Sequence, residues 1–339
     1  MIARFSMAQW RWLPLVSAVM MGVGCEADLR LEGVDATRQQ AIRRTDQFLA
    51  LERAGDGSLL AFADNGIVLE AKAGGGALDW RRTHLENGKP NFIDSTTCPD
   101  GRVYGLSFEN QLWYRTEGVW QSTDIATQEQ LQAVACNAAS DLWVAGAFAT
   151  LLRSADGGNT WEDFSLYEDF TLTALAFPDE QHAFAVGEFG TLVKSVDGGN
   201  GWEVMPPIAD DFYPLSVHFA NAKEGWVSGV LGLVLYTDDG GETWSTQNVA
   251  TEAALYGFVA SGEQLFTYGD LGALFQYDPR EGVWRDQPSP EIPVHYAGAV
   301  ALDGKLLLVG GWGVVMEVPI ASSLTAAISD TQANTEVSL

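Results

Sequence analysis

The reactive side chains of this sequence are mostly carboxylates. The 339 residues include 45 Asp and Glu against 19 Lys and Arg, with 4 His and 3 Cys. Three carboxylates recur in one local setting: Asp156 in RSADGGNTW, Asp197 in KSVDGGNGW and Asp239 in YTDDGGETW. Each is followed by a Gly pair and then by Trp161, Trp202 or Trp244. In such a turn the carboxylate accepts hydrogen bonds from the backbone, the Gly pair permits positive φ, and the Trp packs the hairpin onto its sheet. That role is structural. Glycoside hydrolysis needs a second carboxylate across the scissile bond, and a sialidase needs an Arg triad and a Tyr nucleophile as well. No F/Y-R-I-P segment precedes the first of these turns, and no regular Arg set opens the apolar strands, so no catalytic residue is assigned. His84, His182, His218 and His295 share no i, i+4 pairing, and the Asp-Gly-Gly turns lack the spaced carboxylates of a calcium loop, so neither metal nor cofactor is expected.

A second set of residues points to recognition. The segments GAFATLL, GEFGTLV, GVLGLVL, GDLGALF and GGWGVVM place Phe148, Phe189, Leu231, Leu271 and Trp312 at the third position of a tight turn, with Phe108 nearby. Loops reaching the same rim bring Tyr167, Phe170, Phe212, Tyr213, Tyr256 and Tyr296. Facing solvent, such a ring is a protein-binding face. Folded inward, the same tips cap a central channel. The sequence leaves both readings open.

What must position these residues is a repeat. Trp80, Trp120, Trp161, Trp202, Trp244 and Trp284 follow one another at steps of 40, 41, 41, 42 and 40 residues, each behind a hairpin pattern. A seventh hairpin, at Gly310, has no Trp after it. Inner strands read as LQAVAC, LTALAF, LSVHFA, LYGFVA and AGAVAL, apolar as strands packed between neighbours must be. The expectation is an all-β fold: a seven-bladed β-propeller of four-stranded antiparallel blades over residues 29–320. Leu29–Val34 is expected to supply the last blade's missing strand, closing the ring and removing its exposed edges.

The flanks read differently. Residues 1–24, with Arg4, Arg11 and the apolar run Leu13–Val23, have the pattern of a secretory signal peptide. Gly22-Val23-Gly24-Cys25 resembles a bacterial lipobox, which makes Cys25 the expected lipidation site and residues 25–28 a tether; cleavage without lipid is the alternative. Glu26 after the cysteine favours the outer over the inner membrane. Residues 321–339 are small, polar and without period, and are expected to be disordered. Cys98 and Cys136 form either a disulfide in an oxidising compartment or two buried thiols. The net charge of −26 argues against a nucleic-acid partner.

The D-G-G-x-T-W turns resemble the Asp-box, or bacterial neuraminidase repeat. Combined with the G-x-x-G hairpin and the period near 41, they resemble the photosystem II assembly factor-like family of seven-bladed propellers. That resemblance implies a non-enzymatic, monomeric protein, periplasmic and lipid-anchored here, that binds a membrane protein complex, exporters included, and assists its assembly. A glycan- or peptide-binding module is the alternative. The arginine-rich patch of the photosynthetic members is not carried over, because the 14 Arg here are scattered.

Overall fold

The computed structural model describes residue 33 and residues 38–74, 76–85, 88–288 and 294–320. The described strands form seven antiparallel sheets, six of four strands and one of three, each a simple meander in sequence order. We number these blades 1 to 7; their inner strands are Phe48–Arg53, Phe92–Thr97, Leu131–Cys136, Leu172–Ala176, Pro214–Phe219, Leu255–Ser261 and Tyr296–Leu302. Each inner strand packs beside the next around a central channel, and the seventh packs beside the first, so the ring is closed.

The apolar core is divided among the seven interfaces between blades. Phe184 and Val186 of blade 4 pack with Phe219 and Val227 of blade 5, for example, and Leu307 and Val309 of blade 7 pack with Leu51, Leu59 and Leu69 of blade 1. A blade therefore buries its two faces against two neighbours, which is why the second strands LWVAG, AFAVG and GWVSG are buried along their whole length.

The described lead-in segment ties blade 1 to blade 7. The lead-in segment is pinned to blade 1 by Arg82, whose guanidinium donates to both oxygens of buried Asp46 at 2.8 and 2.9 Å and to the Ala41 carbonyl at 2.9 Å. The Asp46 carbonyl in turn accepts the Gly313 N–H of blade 7 at 2.8 Å. Among the described residues blade 7 has three strands, Tyr296–Leu302, Lys305–Gly310 and Val314–Pro319. Gly33, the one described residue of Leu29–Val34, is helical, not extended; the rest of that segment, with residues 1–24, Cys25, the tether and residues 321–339, lies outside the described residues. No helix among the described residues is long and apolar enough to cross a membrane.

Candidate functional site

On one rim the second and third strands of blades 1 and 3 to 7 are joined by turns whose two central residues both have positive φ. These pairs are Asn65-Gly66, Phe148-Ala149, Phe189-Gly190, Leu231-Gly232, Leu271-Gly272 and Trp312-Gly313. The first member has φ between 53° and 61° throughout. Two consecutive left-handed residues define a type I′ turn, whose first central position favours Asn, Asp or Gly. Blade 1 obeys that preference with Asn65. Five blades defy it with a bulky apolar side chain, at a cost of roughly 1–2 kcal/mol for each left-handed non-glycine residue. Blade 2 turns differently, through the Asn110 N–H bonded to the Ser107 carbonyl at 3.0 Å.

The tips are held from both sides. The N–H that opens each turn donates to the carbonyl just before its own blade's inner strand: Ala147 to Gln130, Glu188 to Thr171, Val230 to Tyr213, Asp270 to Ala254 and Gly311 to His295. The second central residue of the turn meets the loop leading to the next blade, as in the bonds from Ala149 to Phe170 at 2.8 Å and from Gly66 to Pro90 at 2.8 Å. A Cβ on Gly232 would lie 2.1 Å from the Thr251 carbonyl oxygen, so that position has to be glycine both for its φ of 66° and for this approach.

The apolar tips face outward. Phe148, Phe189, Leu231, Leu271 and Trp312 are between 53% and 70% exposed, and none of them lines the channel. Phe108 and Tyr167 are also exposed, and Tyr213 and Tyr256 partly so. Phe212 and Tyr296, expected on this rim, are buried instead; Phe212 packs with Phe184 and Ile208 between blades 4 and 5, and Tyr296 with Leu308 and Val294.

At the other end of the same hairpins, the three Asp-Gly-Gly turns are closed on themselves. Asp156 Oδ1 accepts from Ser154 Oγ at 2.8 Å, Asn159 N at 3.0 Å and Thr160 N at 2.9 Å, while Oδ2 accepts from Thr160 Oγ1 at 2.7 Å. Asp239 repeats the set with Thr237, Glu242 and Thr243, and Asp197 bonds Ser195 Oγ and Gly201 N, both at 2.8 Å. These donors hold Asp156 and Asp239 down to about 2, and Asp197 below the usual carboxylate range. The second glycine of each turn presses on the preceding blade: Cβ atoms on Gly158, Gly199 and Gly241 would collide with Leu112, Trp143 and Leu192. Trp161, Trp202 and Trp244 sit half-buried in the blade interfaces. The carboxylates position the turns.

The channel, about 800 Å³, carries two half-buried acids on the first two inner strands, which the apolar pattern does not reveal. Glu52 accepts from Ser95 Oγ at 2.8 Å and Thr97 Oγ1 at 2.5 Å, and Asp94 accepts the Val134 N–H at 2.8 Å. Desolvation raises both, Asp94 to about 7. Asp94 stands where Ala133 and Gly298 stand in their blades. An ionisable residue at a position otherwise kept small is the signal a sequence reading could have used. The histidines are dispersed: His84 follows Arg82 in blade 1, His182 bonds Asp179 at 3.0 Å, His218 is near Trp226 and Phe258, and His295 precedes blade 7. Among the described residues no cluster of three or more His, Cys, Asp or Glu could hold a metal ion.

Cys98 and Cys136 form a disulfide with Cα atoms 5.2 Å apart, joining the inner strands' ends in blades 2 and 3.

Comparison with known proteins converges on the same architecture. Residues 161–258 match the family described as photosynthesis system II assembly factor YCF48. No curated protein matches by sequence. Among solved structures, YCF48 bound to D1 peptide is 14% identical with a TM-score of 0.63, covering 82% of this chain and 93% of that one. YCF48 from Cyanidioschyzon merolae is 12% identical with a TM-score of 0.64, covering 81% and 96%. The virginiamycin B lyase of Staphylococcus aureus with quinupristin is 10% identical with a TM-score of 0.71, covering 83% and 99%. At these identities the solved structures show the fold alone. The chain thus shares the propeller fold of these structures, and its central repeats, residues 161–258, resemble the photosystem II assembly factor family.

Proposed function

We propose that this protein is a non-enzymatic, exported propeller that binds a membrane protein or complex through the rim of apolar tips and assists its assembly or stability. The observation that carries this reading is the exposure of five bulky apolar side chains on left-handed backbone. Their conformation costs stability while more than half of each residue stays exposed, which points to a surface role. The solved YCF48 with a D1 peptide supports a polypeptide partner. Attachment through a lipid at Cys25 would hold the rim close to such a partner in the periplasm.

Crosslinking in membranes of the native host tests the reading. Wild-type protein should crosslink to a discrete membrane protein, and Phe189→Asn with Leu231→Asn should abolish the product without lowering Tm. Retained crosslinking by that variant would refute it.

A further inference from the structure

We propose that the arc of rim from blade 3 to blade 6 binds a polypeptide segment in which apolar residues alternate with Lys or Arg. This rests on the rim being the docking face. The loops 164–171, 205–213 and 248–254 lie between successive tips, tied to them by the bonds from Ala149 to Phe170, Ile208 to Gly190 and Asp270 to Ala254. They carry Glu168, Asp169, Asp210, Asp211 and Glu252, all exposed, and contain no Lys or Arg. None of these acids is paired with a cation among the described residues. Around the arc the order is Phe148, two acids, Phe189, two acids, Leu231, one acid, Leu271.

Glu188 and Asp270, each just before a tip, add negative charge, with oxygens accepting the Thr171 and Leu271 N–H groups. The opposite sector carries exposed cations: Lys89 lies beside the Asn65-Gly66 turn and Arg44 beside the Trp312-Gly313 turn. The rim is thus polarised. A segment laid over the arc meets apolar side chains in alternation with unneutralised carboxylates. An acidic segment there is repelled, and one bearing Lys or Arg places cations over the loops while its apolar residues cover the tips.

Two synthetic peptides test this, identical in their Leu and Phe positions and carrying either Lys or Glu between them. Fluorescence anisotropy with the purified chain should show the Lys peptide binding at least about tenfold more tightly, with the gap narrowing as salt is raised. Replacing Glu168, Asp169, Asp210 and Asp211 by their amides should close the gap. Glu162→Gln with Glu203→Gln, on the exposed outer strands, should leave it open. Equal binding of the two peptides, no binding of the Lys peptide, or an equal loss in the outer-strand control overturns the inference. The rim reading is judged separately. If the peptides bind alike but Phe189→Asn with Leu231→Asn abolishes binding, only the charge inference falls; if that variant binds the Lys peptide as wild type does, both fall.

Discussion

Leu231 occupies backbone that asparagine or glycine would hold at lower energy, with φ 59° and ψ 26° and a side chain 70% exposed. Blade 1 supplies the internal comparison, since Asn65 fills the equivalent place. Leu231→Asn should therefore stabilise the fold by about 1 kcal/mol, read from urea denaturation. The Asp turns respond to acid in the opposite sense to the channel. Asp239 is held at about 2 against an ordinary 3.8, so its contribution is full above pH 4 and is lost as pH falls through 2. Asp239→Asn should lower Tm at pH 6 and remove part of the loss of stability between pH 4 and pH 2, measured by thermal melts across that range.

At the scale of the element, glycines separate into those that are pressed and those that only turn. A Cβ on Gly232 would strike the next blade's loop, whereas Gly262, φ 61°, has nothing within 4 Å of its added Cβ. Gly232→Ala should cost more than about 2 kcal/mol and Gly262→Ala about 1 kcal/mol, by denaturant titration. The inner strands of blades 3 to 7 are legible in LQAVAC through AGAVAL because a strand packed between two neighbours is apolar on both faces. FLALER and FIDSTT escaped the same reading, since Glu52 and Asp94 break the pattern by bonding across to the next blade. The tips were legible as positions, from the Gly that follows four of the five. Their left-handed backbone was not, because apolar residues are the ones least expected there. Phe212 and Tyr296 were misplaced for a related reason: one residue of shift at a loop's end moves a ring from rim to core. Asp94, raised to about 7 from an ordinary 3.8, keeps its proton in the fold where the unfolded chain has lost it. Its contribution to stability accordingly declines as pH rises from about 4 to about 7. Asp94→Asn should flatten that part of the pH profile.

Across the whole molecule, stability resides in seven equivalent interfaces and in the bond that closes the circle from Gly313 to Asp46. The Cys98–Cys136 disulfide spans a sequence separation of 38 and staples one of those interfaces. Replacing both cysteines by serine should cost roughly 3–4 kcal/mol on the chain-entropy account, measured by denaturation with and without reductant. A ring stabilised in this distributed way can tolerate strained turns on one rim. The most direct test of this account measures Tm and membrane crosslinking together on one variant, Phe189→Asn with Leu231→Asn. The account predicts an unchanged or higher Tm with the crosslinked product lost; a lower Tm with the product retained would contradict it.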